Sequence, residues 1–255
     1  MPRKNQSKQF RSTTRSEKER GYAARMEQCI AGSPFSNLER VQNFTLYTPR
    51  QDLTNFLIRY EIFKRVLEVQ GSVIECGVLR GGGLMAWAQF SAILEPTNHQ
   101  RRVVGFDTFS GFPKLSKQDR SSESDEAHSG GLAADSYDHL QQCVELFDMN
   151  RFVVHVPKVE LVRGDATTTI PHYLMDNPQL IVSLLYLDFD IYEPTLVALK
   201  HFLPRMPKGA VIAFDELNLK DWRGESIAVL ESLELREYRI ERCSFGSVMS
   251  FAQIE

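Results

Sequence analysis

Two short acidic stretches hold most of the chemistry open to this 255-residue chain. In YLDFDIYEPT, residues 186–195, an apolar run ends on Asp188, Asp190 and Glu193. In GAVIAFDEL, residues 209–217, another apolar run ends on Asp215 and Glu216. Charges at the end of a buried strand are costly unless paired, solvated or bound to a cation. Carboxylates without a His or Cys cluster suit a hard cation such as Mg²⁺. These residues alone leave a metal site and a solvated acidic patch equally open.

A third stretch, VIECGVLRGGG at 73–83, reads as a strand, a glycine turn and the start of a helix. Its glycines fall at 77, 81, 82 and 83, which is not GxGxxG. Such a turn lets backbone approach a ligand and offers a helix N-terminus to an anion, although a tight structural turn reads the same way. VVGFD then ends a strand on Asp107, where an acid can accept from a ribose diol. RGD ends a further strand on Asp165, placed to meet an adenine edge. Acids or glycines thus end five successive strands, along the edge where open α/β sheets bind ligands. Glu75, just before the turn, suits a cationic ligand better than a diphosphate. S-adenosylmethionine, with a sulfonium, an ammonium and an adenosine, is therefore favoured over a dinucleotide.

These residues need elements to position them. Apolar residues at 53, 56, 57, 60, 63, 66 and 67 predict a helix over 51–70, ended by Gly71. The strands SVIECGV, RVVGFD, VELVRGD, LIVSLLYLDFD and GAVIAFDE alternate with helices at 82–94, 136–149, 167–176, 194–206 and near 223–234. Pro194 opens the fourth of these helices. YRIER and SVMSFAQI close the chain as a hairpin. The alternation predicts an α/β fold whose parallel sheet is covered on both faces, with an antiparallel edge. Asp190 shares a strand face with Asp188 if the fourth strand runs that far. The expected organisation is a basic tail at 1–25, a lead-in and helix at 26–70 covering the site, and a catalytic domain at 71–255. Within the last, the polar, glycine-containing stretch 110–136 is expected to act as a lid.

Composition is that of a globular protein, 42% hydrophobic and 25% charged, with no run long enough to span a membrane and no secretory signal. Cys29, Cys76, Cys143 and Cys243 lie far apart and read as reduced thiols in a cytoplasmic protein. The net charge is −3, yet residues 1–25 hold eight Lys or Arg against two Glu. A solvated leader is favoured over a nucleic-acid arm there, because the body is acidic and aromatic interleaving is sparse. The six histidines lack metal-pair spacing; His128 and His139, in or beside the expected lid, are candidate substrate contacts or an alternative base. Glu193 is expected to cap the helix that Pro194 begins.

ECGVLRGG, GFDTFSGFP, LDFDIYEPT and FDE resemble the motifs of the macrocin O-methyltransferase family (TylF, MycF and NovP type). The resemblance spans roughly residues 40–255 and includes FTLYTPRQDL. It implies a Rossmann-like class I methyltransferase with a mostly parallel seven-stranded sheet and a C-terminal antiparallel hairpin. It also implies S-adenosylmethionine and Mg²⁺ as cofactors and a sugar hydroxyl as acceptor, most closely that of a nucleotide-linked (dTDP-type) 6-deoxyhexose. The family's metal ligands carry over to Asp188, Asp215 and Glu216, the last standing where aspartate is more usual. Its general base carries over to Asp190, with His139 as the second catalytic candidate. Its cofactor contacts carry over to Glu75, Gly77, Arg80, Gly81, Asp107, Asp165, Ala166 and Asp188. A homo-oligomer acting on a small-molecule sugar is implied, without a membrane or nucleic-acid partner.

The metal would position one hydroxyl of a sugar diol and make it more acidic, and a nearby base would still be useful. The rivals are a methyltransferase of a finished glycosylated natural product, a catechol O-methyltransferase, and a non-catalytic module binding a nucleotide sugar or nucleic acid. A catechol would call for an aromatic slot, against which the polar 110–136 stretch argues. A nucleic-acid module predicts affinity falling steeply with salt and no need for a divalent ion.

Overall fold

Apolar residues run unbroken through VVGF and VSLLYL, so these strands must be covered on both faces. The computed structural model meets that demand and describes residues 21–120, 122, 124–246 and 248–255. Most of the basic stretch expected as a tail lies outside the described residues. The described residues form two compact units, divided between Leu53 and Thr54.

Within the first unit, helix α1 (Tyr22–Ala31) precedes α2 (Asn37–Gln42). Ser36 begins α2 with a capping box: its hydroxyl accepts from Glu39 N, and the Glu39 carboxylate accepts from Ser36 N. The stretch 26–50, expected as a lead-in, thus contains helical turns.

The second unit is built on a six-stranded sheet. Its strands are β1 (Ser72–Cys76), β2 (Val103–Asp107), β3 (Val159–Arg163), β4 (Val182–Leu187), β5 (Val211–Phe214) and β6 (Ser250–Gln253), in the order β3-β2-β1-β4-β5-β6. All pair in parallel except β6, which runs antiparallel to β5. One face carries Val73, Leu184, Tyr186, Val211 and Ala213. It packs on α3 (Arg50–Lys64) through Ile58, Ile62 and Phe63, on α4 (Gly82–Leu94) through Leu84 and Trp87, and on α5 (Tyr137–Met149) through Leu140 and Phe147. The other face carries Ile74, Cys76, Leu185, Leu187, Ile212 and Phe214. It packs on α6 (Ala166–Asp176), α7 (Tyr192–Phe202) and α8 (Arg223–Ser232). Among the described residues, no helix is long and apolar enough to cross a membrane.

The α4 helix falls where its pattern placed it, and the other four helices of the alternation are shifted by at most a few residues. Three expectations are corrected. The helix expected over 51–70 and ended by Gly71 stops at Lys64, short of that glycine. YRIER forms no strand; it adds one antiparallel bridge, Glu241 to Phe251, so the described sheet has six strands rather than seven. The fourth strand stops at Leu187, so Asp188 and Asp190 do not share a strand face.

Arg101, 3% exposed, ties the connection after α3 to the sheet. Its guanidinium donates to the carbonyls of Val66 (2.9 Å), Val69 (3.0 Å) and Gly71 (2.9 Å) and to the Ser183 hydroxyl. Its Nε stands 2.7 Å from Glu95 Oε1. Removing one partner of a buried ion pair leaves an uncompensated charge and costs about 3–5 kcal/mol. Arg101→Ala should lower stability by that order in equilibrium denaturation, and Arg101→Lys, with fewer donors, should recover only part. An Arg101→Ala protein as stable as the wild type would show that the 66–71 connection is held by packing alone.

Candidate active site

From β1 the chain lays β2 and β3 on one side, then crosses to place β4 and β5 on the other. The crevice between β1 and β4 is thus the switch point where such sheets bind ligands. Hydrogen bonds extend the ladder one step past the strands: Gly77 N to Phe106 O (2.9 Å), Asp188 N to Cys76 O (2.8 Å), Asp215 N to Leu187 O (3.0 Å) and Gly164 N to Asp107 O (2.9 Å). Asp107, Gly77, Asp188 and Asp215 consequently stand in one row along the carboxyl edge. Gly77 has φ +96°, and a Cβ there would overlap the Asp188 carbonyl. Only glycine lets β1 and β4 turn away from each other so closely.

On the β1–β2–β3 side the acids are committed to backbone. Asp107 Oδ2 accepts from Val78 N (2.7 Å) and Leu79 N (2.8 Å), and Oδ1 accepts from Phe109 N (2.6 Å). It therefore shapes the glycine turn while keeping lone pairs for a ligand hydroxyl. Asp165 caps α6, its Oδ1 accepting from Thr167 N (2.9 Å) and Thr167 Oγ1 (2.7 Å). Ala166 buries its methyl in the core, so it can meet a ligand only through backbone. Gly81 (φ +84°) begins α4 against Leu140, Arg80 is exposed beside it, and a Cβ on Gly82 would meet open space.

On the β4–β5 side the acids converge. Asp188 and Asp215 are half-buried, while Asp190 and Glu216 are 8% and 6% exposed. Burial, then repulsion from Asp215 and Asp190, pushes Asp188 well above the usual carboxylate range. Burial and Glu216 do the same to Asp190. Burial and Asp215 push Glu216 up to about 8. The Asp190 and Glu216 carboxyls lie close enough to perturb each other. Asp190 reaches this position from a left-handed backbone (φ +63°) in a tight turn closed by Ile191 N to Phe189 O at 2.6 Å. For a residue with a Cβ, that conformation costs about 1–2 kcal/mol.

Sequence reasoning missed three residues here. Arg59, on α3, lies over the Tyr186 ring at 4.8 Å and donates from Nη2 to the Tyr186 hydroxyl (3.0 Å). That hydroxyl donates to Asp215 Oδ1 (2.5 Å). Arg59 Nε is buried without a hydrogen-bond partner, and a Cβ on Gly83 would stand 3.2 Å from it and 2.8 Å from Glu75 Oε1. Glu75 itself is 2% exposed, accepts from Trp87 Nε1 (2.5 Å), and is pushed by burial up to about 7. Glu225, wholly buried in the first turn of α8, accepts from Glu216 N (3.1 Å) through Oε1. Oε2 of both Glu216 and Glu225 is buried without a partner. No local spacing announces any of these long-range contacts. The helical placement of Arg59 beside Ile58 and Ile62 was the one available signal.

His139 is exposed on α5, with Nε2 3.7 Å from Cys143 Sγ, and His128 is exposed near Glu126. The acidic cluster is built without them. Glu193 lies inside the first turn of α7 rather than at its cap. The donors of the cluster are all oxygen, carry more negative charge than Arg59 balances, and include two orphaned buried oxygens, which fits a hard cation. Among the described residues, no three His, Cys, Asp or Glu side chains yet converge closely enough to ligate one.

A mostly parallel sheet in this order, with a glycine turn at the switch point and acids along the carboxyl edge, defines a class I methyltransferase fold. The macrocin-O-methyltransferase (TylF) family profile matches residues 53–231, and the chain belongs to that family. It is similar to the crystal structure of CalS11, a calicheamicin methyltransferase, at 33% identity and TM-score 0.89, covering 94% of this chain and 93% of that one. The apo structure of CalS11, described as a TDP-rhamnose 3'-O-methyltransferase, aligns with TM-score 0.81 at 31% identity over 94% of this chain and 95% of that one. A Streptomyces olivaceus 8-demethyl-8-(2,3-dimethoxy-α-L-rhamnosyl)-tetracenomycin-C 4'-O-methyltransferase is 28% identical over 152 residues, 58% of this chain. That match spans about half of the relative's length, 53%.

Glu75 and Glu216 hold protons in the folded chain up to about 7 and about 8, against ordinary values of 4.5. Their contribution to stability is therefore complete below about pH 4.5 and is lost as pH rises through those folded values. In metal-free buffer the denaturation midpoint should fall between about pH 5 and about pH 8, and Glu75→Gln should flatten the fall. A Glu75→Gln protein with the wild-type slope would mean that Glu75 is already ionised when buried.

Proposed function

We propose that this chain is an S-adenosylmethionine-dependent O-methyltransferase of a sugar hydroxyl, using Mg²⁺, with a nucleotide-linked 6-deoxyhexose as acceptor. The observation that carries the reading is the gathering of Asp188, Asp190, Asp215 and Glu216 beside the glycine turn, within a family of O-methyltransferases. The acceptor class is supported by similarity to CalS11 along nearly the whole chain, since CalS11 is described as acting on TDP-rhamnose.

S-adenosylmethionine supplies a methyl group activated on a sulfonium, and the ion supplies positive charge that makes a sugar hydroxyl more acidic. Asp107 would accept from the ribose hydroxyls, and Asp165 and the Ala166 backbone would border the adenine. Glu75 and Arg59, side by side under Gly83, offer the opposite charges that a zwitterionic amino-acid end needs. Asp188, Asp215 and Glu216 would hold the ion, with Tyr186 orienting Asp215. Asp190 would take the hydroxyl proton, and general-base catalysis of this kind contributes about 10²–10⁴-fold. Much of the remaining rate would come from holding acceptor and methyl group in line.

A second reading, a finished rhamnosylated natural product as acceptor, is favoured by the tetracenomycin relative alone. The test is methyl transfer from labelled S-adenosylmethionine to a panel of dTDP-6-deoxyhexoses and rhamnosyl glycosides, with and without chelator. Transfer to a nucleotide sugar should stop on chelation and return with Mg²⁺, and transfer confined to glycosides would establish the second reading. Asp188→Asn should raise the Mg²⁺ concentration needed, whereas Asp190→Asn at saturating Mg²⁺ should lose about 10²–10⁴ in turnover, partly regained at high pH. Undiminished transfer in chelator would sink the metal's role, and near-normal turnover of Asp190→Asn would move the base elsewhere.

A further inference from the structure

Helix α7 starts at Tyr192 without a side-chain cap of its own, because its N-cap residue is Ile191. The first N–H groups of a helix need acceptors from outside it, normally a Ser, Thr, Asp or Asn at the cap. Here the acceptor comes from 73 residues earlier. Asp119, in the polar stretch expected as a lid, is 2% exposed, and its Oδ1 accepts from Tyr192 N at 2.9 Å. Its Oδ2 accepts from Ser116 N (2.8 Å) and Ser116 Oγ (2.6 Å), so both oxygens are committed.

Helix α8 closes on the same junction. A Cβ on Gly224 would overlap both Asp119 Oδ1 and Tyr192 N. Nearby, the Ser122 hydroxyl accepts from Arg223 N (3.4 Å), and Phe112 meets Trp222 edge-on with ring centroids 5.6 Å apart. The polar stretch is thus sewn to the starts of α7 and α8. Two residues before Tyr192 stands Asp190, in the left-handed conformation that brings its carboxyl to Glu216. A strained backbone of this kind persists only where its surroundings over-determine it.

We infer that Asp119 is a positioning residue for Asp190. By capping α7 from the 110–136 stretch, it fixes the chain on the far side of the 188–191 turn and holds Asp190 in its left-handed conformation. Asp119 touches no reacting atom. The inference rests on the reading of Asp190 as the base, and it makes the geometry of that base depend on docking of the polar stretch.

The test compares Asp119→Ala, Asp119→Asn, Gly224→Ala and Asp190→Asn in the Mg²⁺-loaded methyl-transfer assay, alongside calorimetry of S-adenosylmethionine binding and thermal melting. Asp119→Ala should lower kcat by about 10- to 100-fold, the scale of a small misplacement of a reacting group. Its cofactor affinity should stay within about twofold of wild type, because the junction lies outside the cofactor turn. Asp119→Asn keeps an oxygen for Tyr192 N and should restore kcat to within a few-fold of wild type. Gly224→Ala presses on the same contact from the other helix. It should also lower kcat with cofactor affinity unchanged, so the inference stays open to test even where Asp119→Ala does not fold. Unchanged kcat in Gly224→Ala or in folded Asp119→Ala would overturn it, as would a loss that Asp119→Asn does not relieve. Near-normal turnover of Asp190→Asn would instead remove the base assignment, and this inference with it.

Discussion

Carboxyl groups at the ends of β4 and β5 repel one another where water reaches them poorly, and much of the local architecture answers that repulsion. Two carboxylates about 5 Å apart at an effective dielectric near 20 repel by about 3 kcal/mol, so several cannot all stay ionised without compensation. Arg59 gives part of it, reaching Asp215 through the Tyr186 hydroxyl. Burial, with that repulsion added, drives Asp188, Asp190, Glu216 and Glu225 all upward. A divalent cation competes with protons for the same oxygens, and its binding would be linked to their release.

The backbone delivers these groups with little freedom. Parallel pairing of β1, β4 and β5 places Gly77, Asp188 and Asp215 at the same height, and the extra ladder bonds past the strand ends hold them there. Because the Asp188 carbonyl occupies the place of a Cβ on Gly77, the cofactor turn and the acidic turn share one contact surface. The Tyr186 ring serves both sides: it packs against Trp87, which holds Glu75, and its hydroxyl holds Asp215.

How much of this was legible in the sequence depends on the range of each interaction. Alternating apolar runs announced the sheet and its helices, because burial on both faces leaves a local signature, and the acids at strand ends were visible for the same reason. The pattern of YRIER overstated a strand, since only Glu241 finds a partner. S-x-x-E at 36–39 could have revealed α2, a capping signal that lies within four residues. Nothing local could have paired Arg59 with Tyr186, 127 residues away, or Asp119 with Tyr192. Nor does a motif such as DFD disclose that its second acid turns left-handed, because aspartate tolerates that conformation without requiring it.

The polar stretch after β2 is held largely by its own short-range bonds. Serines, acids and glycines there bond to one another and to the ends of the stretch. Phe112 N donates to Gly131 O (3.1 Å) and Gly130 N to Phe112 O (2.8 Å), while Gly111 (φ +86°) has no room for a Cβ beside Gly130 and Gly131. Thr108 Oγ1 donates to Gly111 O (2.6 Å), linking this knot to the end of β2, and Ser136 Oγ donates to Leu79 O (2.5 Å) where the stretch enters α5. Both ends are therefore tied to the cofactor turn or its neighbour, and the middle is tied through Asp119 to the turn that carries Asp190. The position of the stretch then reports on both halves of the site together, which is the arrangement a two-substrate enzyme needs when neither substrate alone should organise the reacting groups.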